Sequence, residues 1–196
     1  MKRYIKIYAV LFILAGLIVA LDQWTKSWIR ANITMGDVWY PVDWLAPFVK
    51  IVHWYNTGVA FGLFQGVGNV FMVLSFLVVL VIIYYYPRVP SSDWTLRLAM
   101  GLQLGGAIGN LVDRITIGHV TDFISIGTFP VFNVADSSIS IGVAVLVLGI
   151  WIQEKNAKKN AESVLNEDTE NSQNEDIENP QNEDIENPQN EDRTIL

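Results

Sequence analysis

Apolar positions along the chain gather into four long stretches, separated by mixed connections and followed by a wholly polar tail. The first stretch runs from about Ile5 to Trp28 and is interrupted near its end by Asp22 and Lys26. The second, Val70 to Tyr86, is built almost entirely of Val, Leu, Ile, Phe and Tyr and stops at Pro87. The third, about Leu96 to Ile115, is rich in glycine and carries Asn110, Asp113 and Arg114 at its far end. The fourth, about Val134 to Ile152, has Asp136 in its first turn and finishes before Glu154 and Lys155. A helix crossing the hydrocarbon core takes about 20 residues. Each stretch therefore predicts a transmembrane helix, and the fold class expected is membrane all-α, a four-helix transmembrane bundle.

The connection from Arg30 to Gly68 is long for a helical bundle. Its Ile51-Val52-His53-Trp54-Tyr55 run has strand character, and Asn56-Thr57-Gly58 follows as a turn signal. Trp39, Tyr40, Trp44, Trp54 and Tyr55 suit the membrane–water boundary, where amphipathic rings settle. A small extracytoplasmic β-cradle between the first two spans is predicted, joined by a second short hairpin over Phe123 to Phe132.

Charge divides the chain at residue 153. Residues 1–153 carry nine Lys/Arg against seven Asp, a balance of +2, whereas residues 154–196 carry four against thirteen Asp/Glu, a balance of −9. The overall charge of −7 thus describes the tail and not the membrane domain. That tail repeats an acidic octapeptide, NEDTENSQ from Asn166 and then NEDIENPQ from Asn174 and Asn182. It cannot bury enough apolar surface to offset its ordering entropy, so a disordered cytoplasmic segment is expected over 154–196.

Orientation follows from basic residues in the short flanks. Lys2, Arg3 and Lys6 precede the first span, Arg88 and Arg97 flank the connection between the second and third, and Lys155, Lys158 and Lys159 follow the fourth. Both termini are then cytoplasmic, and Asp22, Asn56, Asp113, Asp122 and Asp136 gather near the outer face. The first span has a basic start but no small-residue cleavage site, since Asp22-Gln23-Trp24 stands in its place; it reads as a retained anchor.

The chain has no Cys, only His53 and His119, and no HExxH, so thiolate chemistry is excluded and no metal or other cofactor is expected. Ionisable residues within or beside apolar spans are costly and face polar cavities or partners. Here they concentrate at the outer ends of three spans. Asn110, Asp113 and Arg114, three and four residues apart, share one helix face; the nearby glycines Gly105, Gly106 and Gly109 allow a neighbouring helix close approach. The trio reads either as a structural polar clamp or, for Asp113, as part of the chemistry. Asp136 can be an N-terminal capping acid, and Asp122 alone an ordinary turn acid.

Taken in order, Asp22-Gln23-Trp24-Thr25-Lys26, Asn56-Thr57-Gly58-Val59-Ala60-Phe61, Gly109-Asn110-Leu111-Val112-Asp113-Arg114, Thr121-Asp122-Phe123 and Phe132-Asn133-Val134-Ala135-Asp136-Ser137 resemble the lipoprotein signal peptidase (signal peptidase II) family. The likeness covers roughly residues 5–153. It implies an aspartic endopeptidase of the bacterial cytoplasmic membrane that cuts diacylglyceryl-modified prolipoproteins before the lipidated cysteine. Asp122 and Asp136 would be the catalytic pair. Asp22, Lys26, Asn56, Gly58, Asn110, Asp113, Arg114 and Asn133 would bind substrate or brace the site. The implied partners are the prolipoprotein and membrane lipids, with no nucleic acid, and the chain is expected to act as a monomer. Two features depart from the family: the 122–136 segment looks short, and the acidic repeat tail has no counterpart.

Paired carboxylates also fit peptide hydrolysis on chemical grounds, because two held close share one proton and so offer an acid and a base together. A proton-coupled transporter would show internal repeats and charges at mid-span depth. A serine protease using Ser137 or Ser138 would need a Lys or His at helical spacing, and neither is there. A non-enzymatic scaffold would use the polar clusters only for packing. Deleting residues 160–196 is expected to leave peptidase turnover of the membrane domain unchanged, measured as the cleavage rate of truncated against full-length chain.

Overall fold

The computed structural model describes residues 2–57 and 68–178. Four helices fall where the four apolar stretches predict them: α1 (Lys2–Asn32), α2 (Gly68–Tyr85), α3 (Trp94–Ile117) and α4 (Val134–Glu178). Contacts divide the chain into one unit over Met1–Ile150 and another over Trp151–Leu196. Helix α1 extends past the expected Trp28 because its last turns are internally bonded. The Asn32 side chain donates to the Trp28 carbonyl at 2.8 Å, and the Thr25 hydroxyl donates to the Leu21 carbonyl at 2.9 Å. Helix α3 starts at an Asp93 cap whose carboxylate accepts the Leu96 N–H at 3.1 Å, and it ends at Gly118, whose φ of 79° suits glycine alone.

Among the described residues three helices are long and apolar enough to cross a membrane: Ile7–Asn32, Asn69–Arg88 and Val134–Val164. Their outward faces are apolar rather than polar, with Leu17 65% exposed, Val81 54% and Val147 61%. Such surfaces are stable in lipid and not in water. The chain is a multi-pass membrane protein. Helix α3 has the length, 24 residues, but is not among the three apolar spans. The physical reason is its position. Its Ala99, Gly101, Leu104, Gly105, Gly106, Ala107, Gly109, Asn110 and Asp113 are buried against the other helices, so much of its surface is glycine and polar side chains.

The glycines of α3 set how closely its neighbours approach. A Cβ at Gly105 would lie 2.7 Å from Ile18 Cβ of α1, and one at Gly109 would lie 2.7 Å from Asp22 Oδ2. From α4, a Cβ at Gly142 would meet the Ala99 carbonyl oxygen at 3.1 Å. Leu11, Ala15, Ile82, Tyr86 and Leu104 complete an apolar core among α1, α2 and α3.

The predicted cradle is a three-stranded antiparallel sheet in the order β1 (Val38–Trp39), β2 (Val49–Asn56), β3 (Val120–Ile126). The expected second hairpin joins it. Strand β3 turns at Gly127 (φ 51°), and Ile124 and Phe132 exchange backbone bonds at 2.8 and 3.0 Å. A bulge falls between Ile51 and Trp54, where Ile51 pairs Ile124 but Trp54 pairs Asp122. Phe123, opposite the bulge, sends its N–H to the Phe132 carbonyl and packs its ring on Ile29 and Ile33. Successive strand residues face opposite ways, so seating Phe123 on α1 turns Asp122 away from that core.

The tail differs from expectation between residues 154 and 178, where helix α4 continues instead of a segment without structure. No proline occurs between Pro130 and Pro180, and Lys158 pairs with Glu154 at 2.8 Å one turn away. Residues 154–164 are exposed throughout. Gly58 lies outside the described residues.

Candidate active site

The ends of α1, α3 and α4 meet β3 in a compact polar network. At its base Lys26 of α1, with no exposed surface, sits 2.9 Å from Asp22 Oδ2 and 3.2 Å from Asp113 Oδ2, both also buried. Its third bond goes to Asn110 Oδ1 at 3.0 Å. The second oxygen of Asp22 accepts the Ala135 N–H at 2.9 Å, which satisfies one of the free donors at the start of α4. Gln23 closes the base by donating to Asp22, the Gly109 carbonyl and Asp113 at 3.0 to 3.1 Å.

Asn133 is the cap of α4. Its Oδ1 accepts the Asp136 N–H at 2.9 Å, and its own N–H points at Asp136 Oδ2 at 3.3 Å, the reciprocal arrangement of a capping box. Its amide nitrogen meanwhile donates to Asp122 Oδ1 at 2.7 Å and to Asn110 Oδ1 at 3.1 Å. Asn110 Nδ2 donates to Asp136 Oδ1 at 2.7 Å, and Asn56 Nδ2 donates to Asp122 Oδ2 at 3.2 Å. Each carboxyl therefore has N–H donors on both oxygens, and Asn133 touches both groups.

Asp122 and Asp136 line one cavity of about 580 Å³, together with Asn56, Asn110 and Arg114 on its polar side. Phe71, Val120, Phe129, Phe132 and Ile141 form its apolar side. Burial of Asp122, reinforced by the neighbouring Asp136 charge, pushes its carboxyl up from the ordinary 3.8 to about 7. Among the described residues no group of three His, Cys, Asp or Glu is placed to hold a metal ion.

The structure thus brings together Asp22, Lys26, Asn56, Asn110, Asp113, Arg114, Asp122, Asn133 and Asp136. It divides them in a way their spacing does not reveal. Asp22, Lys26 and Asp113 are buried in the base, whereas Asn56, Asn110, Arg114, Asp122 and Asp136 face the cavity. Three members of the network escaped the sequence reading: Gln23, Arg30 and Thr121. Arg30 donates to the Thr121 hydroxyl at 2.9 Å, and Thr121 is fully buried. Arg30 lies four residues beyond Lys26 and eight beyond Asp22 on one helix face, and that spacing was the available signal.

Fold and site together define a class: multi-pass membrane proteins in which two carboxyls share a half-apolar cavity at the ends of the helices. Comparison with known proteins narrows the class to one family. The model of signal peptidase (SPase) II matches residues 14–152. The lipoprotein signal peptidase of Shouchella clausii is 40% identical over 153 residues, covering 76% of this chain and 97% of that protein. That of Enterococcus faecalis is 34% identical over 161 residues, covering 81% and 96%. A solved structure of a bacterial membrane enzyme superposes with a TM-score of 0.70 at 28% identity, covering 76% of this chain and 91% of the other. The chain belongs to the signal peptidase II family, and is a peptidase.

The raised Asp122 carboxyl has a consequence for stability. Between pH 3.8 and about 7 the folded chain keeps a proton that the unfolded chain releases, so stability falls as pH rises through this window. Asp122→Asn has no such group. Its melting temperature in detergent, minus that of the unsubstituted chain, is expected to increase from pH 5 to pH 8. A difference independent of pH would contradict the shift.

Proposed function

We propose that the chain removes signal peptides from diacylglyceryl-modified prolipoproteins, cutting before the lipidated cysteine by means of Asp122, Asp136 and an activated water. The observation that carries this reading is the single residue Asn133 that holds both carboxyls at one cavity, its side-chain amide donating to Asp122 and its backbone N–H to Asp136. Two carboxyls in one low-dielectric site do not both ionise cheaply, so one proton is shared. Below about pH 7, Asp122, raised to about 7, carries that proton. Asp136, at the first turn of α4 and bonded by Asn110, serves as the base that takes a proton from the attacking water. Asp122 donates to the scissile carbonyl as the tetrahedral centre forms. On collapse Asp122 takes a proton back from a hydroxyl of the tetrahedral centre, the C–N bond breaks, and Asp136 gives its proton to the departing amine, which restores the pair. Arg114, Asn110 and Asn56, lining the same cavity, supply positive charge and N–H donors for peptide oxygens.

The membrane geometry suits this substrate. The C-terminal ends of α1 and α3 and the N-terminal end of α4 carry the site, while the basic flanks near Lys2, Arg88, Arg97 and Lys155 lie at the opposite helix ends. The positive-inside bias then sets both termini in the cytoplasm and the site at the outer face of the bacterial cytoplasmic membrane. Helix α3 also crosses the membrane, its glycine and polar positions packed against α1 and α4. The lipid-modified cysteine keeps its acyl chains at membrane depth, and the apolar wall of the cavity receives the adjoining residues. The protein works as a monomer among membrane lipids, and the acidic tail plays no part in the reaction.

Asp122→Asn and Asp136→Asn are each expected to insert and fold but to lose cleavage of a diacylglyceryl prolipoprotein peptide by about 10³-fold or more. The reaction is read as release of the signal peptide in detergent micelles. Full activity in either variant would overturn the assignment.

A further inference from the structure

Arg30 lies outside the cavity that holds the two carboxyls, yet it contacts the residue directly before one of them. It occupies the last turns of α1, with its side chain 28% exposed. Its Nη1 donates to Thr121 Oγ1 at 2.9 Å and stands 3.4 Å from Asp113 Oδ1; its Nη2 donates to Ser27 Oγ at 3.2 Å. A partly exposed ion pair to Asp113 alone would contribute little. The hydroxyl bond gives the guanidinium a different consequence.

Thr121 is held from three directions. Arg30 of α1 takes its hydroxyl, Asp113 of α3 takes its N–H at 3.0 Å, and Asn133 at the start of α4 donates to its carbonyl at 3.4 Å. The next residue is Asp122. Strand β2 is bulged opposite Phe123, so the ladder that pairs Asp122 with Trp54 is interrupted directly beyond residue 122. A strand residue cannot shift without carrying its neighbour along, and the Asn133 bond to Asp122 is short at 2.7 Å.

We propose that Arg30 is a positioning residue for the catalytic centre, acting through the Thr121 hydroxyl to hold Asp122 in register with Asp136. The proposal rests on the reading of Asp122 and Asp136 as the catalytic pair. Arg30 itself touches neither carboxyl and exchanges no proton.

The test compares Arg30→Met, Thr121→Val and the double substitution in detergent-purified full-length chain, using a diacylglyceryl prolipoprotein peptide. Misplacement of a reacting group by about 1 Å can cost on the order of 10²-fold. Each single variant is expected to lower kcat by about 10-fold to 100-fold with KM within about twofold. Because both remove the same contact, the double variant is expected to be no slower than the slower single one. Arg30→Lys, which keeps the charge but not the fork of donors, is expected to recover only part of the loss. Unchanged kcat in Arg30→Met or Thr121→Val, or losses that multiply in the double variant, would overturn the proposal. If Arg30→Met fails to fold, Thr121→Val decides alone: reduced kcat at an unchanged melting temperature supports the role, and unreduced kcat rejects it. Failure of the catalytic reading is separately visible, as activity retained in Asp122→Asn or Asp136→Asn.

Discussion

The Lys26 ammonium, buried without exposed surface, is the constraint on which the rest of the site depends. A charge removed from water must be matched, and losing one partner of a buried pair costs about 3–5 kcal/mol. Asp22 and Asp113 match it, and since they sit on α1 and α3 the rotation of these two helices is fixed together. Two acids against one base would leave excess negative charge, and Arg30 at 3.4 Å from Asp113 balances it. Lysine has only donors to give. Asn110 must therefore present its oxygen to Lys26, which leaves its nitrogen facing Asp136. The direction of an amide at the cavity is thus decided by a cation beneath it.

The same logic passes to Asn133. Its nitrogen is drawn to Asn110 Oδ1 and Asp122 Oδ1, so its oxygen is left for the Asp136 N–H, and capping of α4 and placement of both carboxyls become one arrangement. Fold stability and site geometry are not separate here. Close helix approach, needed to bring Asp22 to the start of α4, depends on Gly109, where a side chain would meet the Asp22 carboxylate. The base of the network is closed to solvent, while the carboxyls above it open on a cavity with an apolar wall.

Much of this was legible in the chain. The four helices follow from apolar runs of membrane length, the cradle from the Ile51–Tyr55 run and its turn signal, and the site from ionisable residues too costly to place in lipid without a purpose. What was not legible is long-range or marginal. The bulge opposite Phe123 arises from pairing between strands more than sixty residues apart in the chain, and no local pattern encodes it. The Arg30–Thr121 bond joins residues 91 apart. The tail reading failed over 154–178 for a different reason. Composition forbids a packed core there but not an exposed helix, and the prolines that would stop one begin only at Pro180. Helix α3 shows the converse: it packs among the other helices through glycine and polar positions and, among the described residues, is not one of the three apolar enough to cross a membrane.

The central claim is that two carboxyls sharing one proton cut the peptide, and the most direct measurement is the pH dependence of kcat/KM for a lipidated prolipoprotein peptide between pH 4 and pH 9. A bell-shaped profile whose alkaline limb falls near the raised Asp122 value of about 7, unchanged when Ser137 and Ser138 are both replaced by Ala, is the predicted result. A rate that is flat, or that climbs steadily through pH 9, would show that the reaction does not need a protonated carboxyl and would contradict the account.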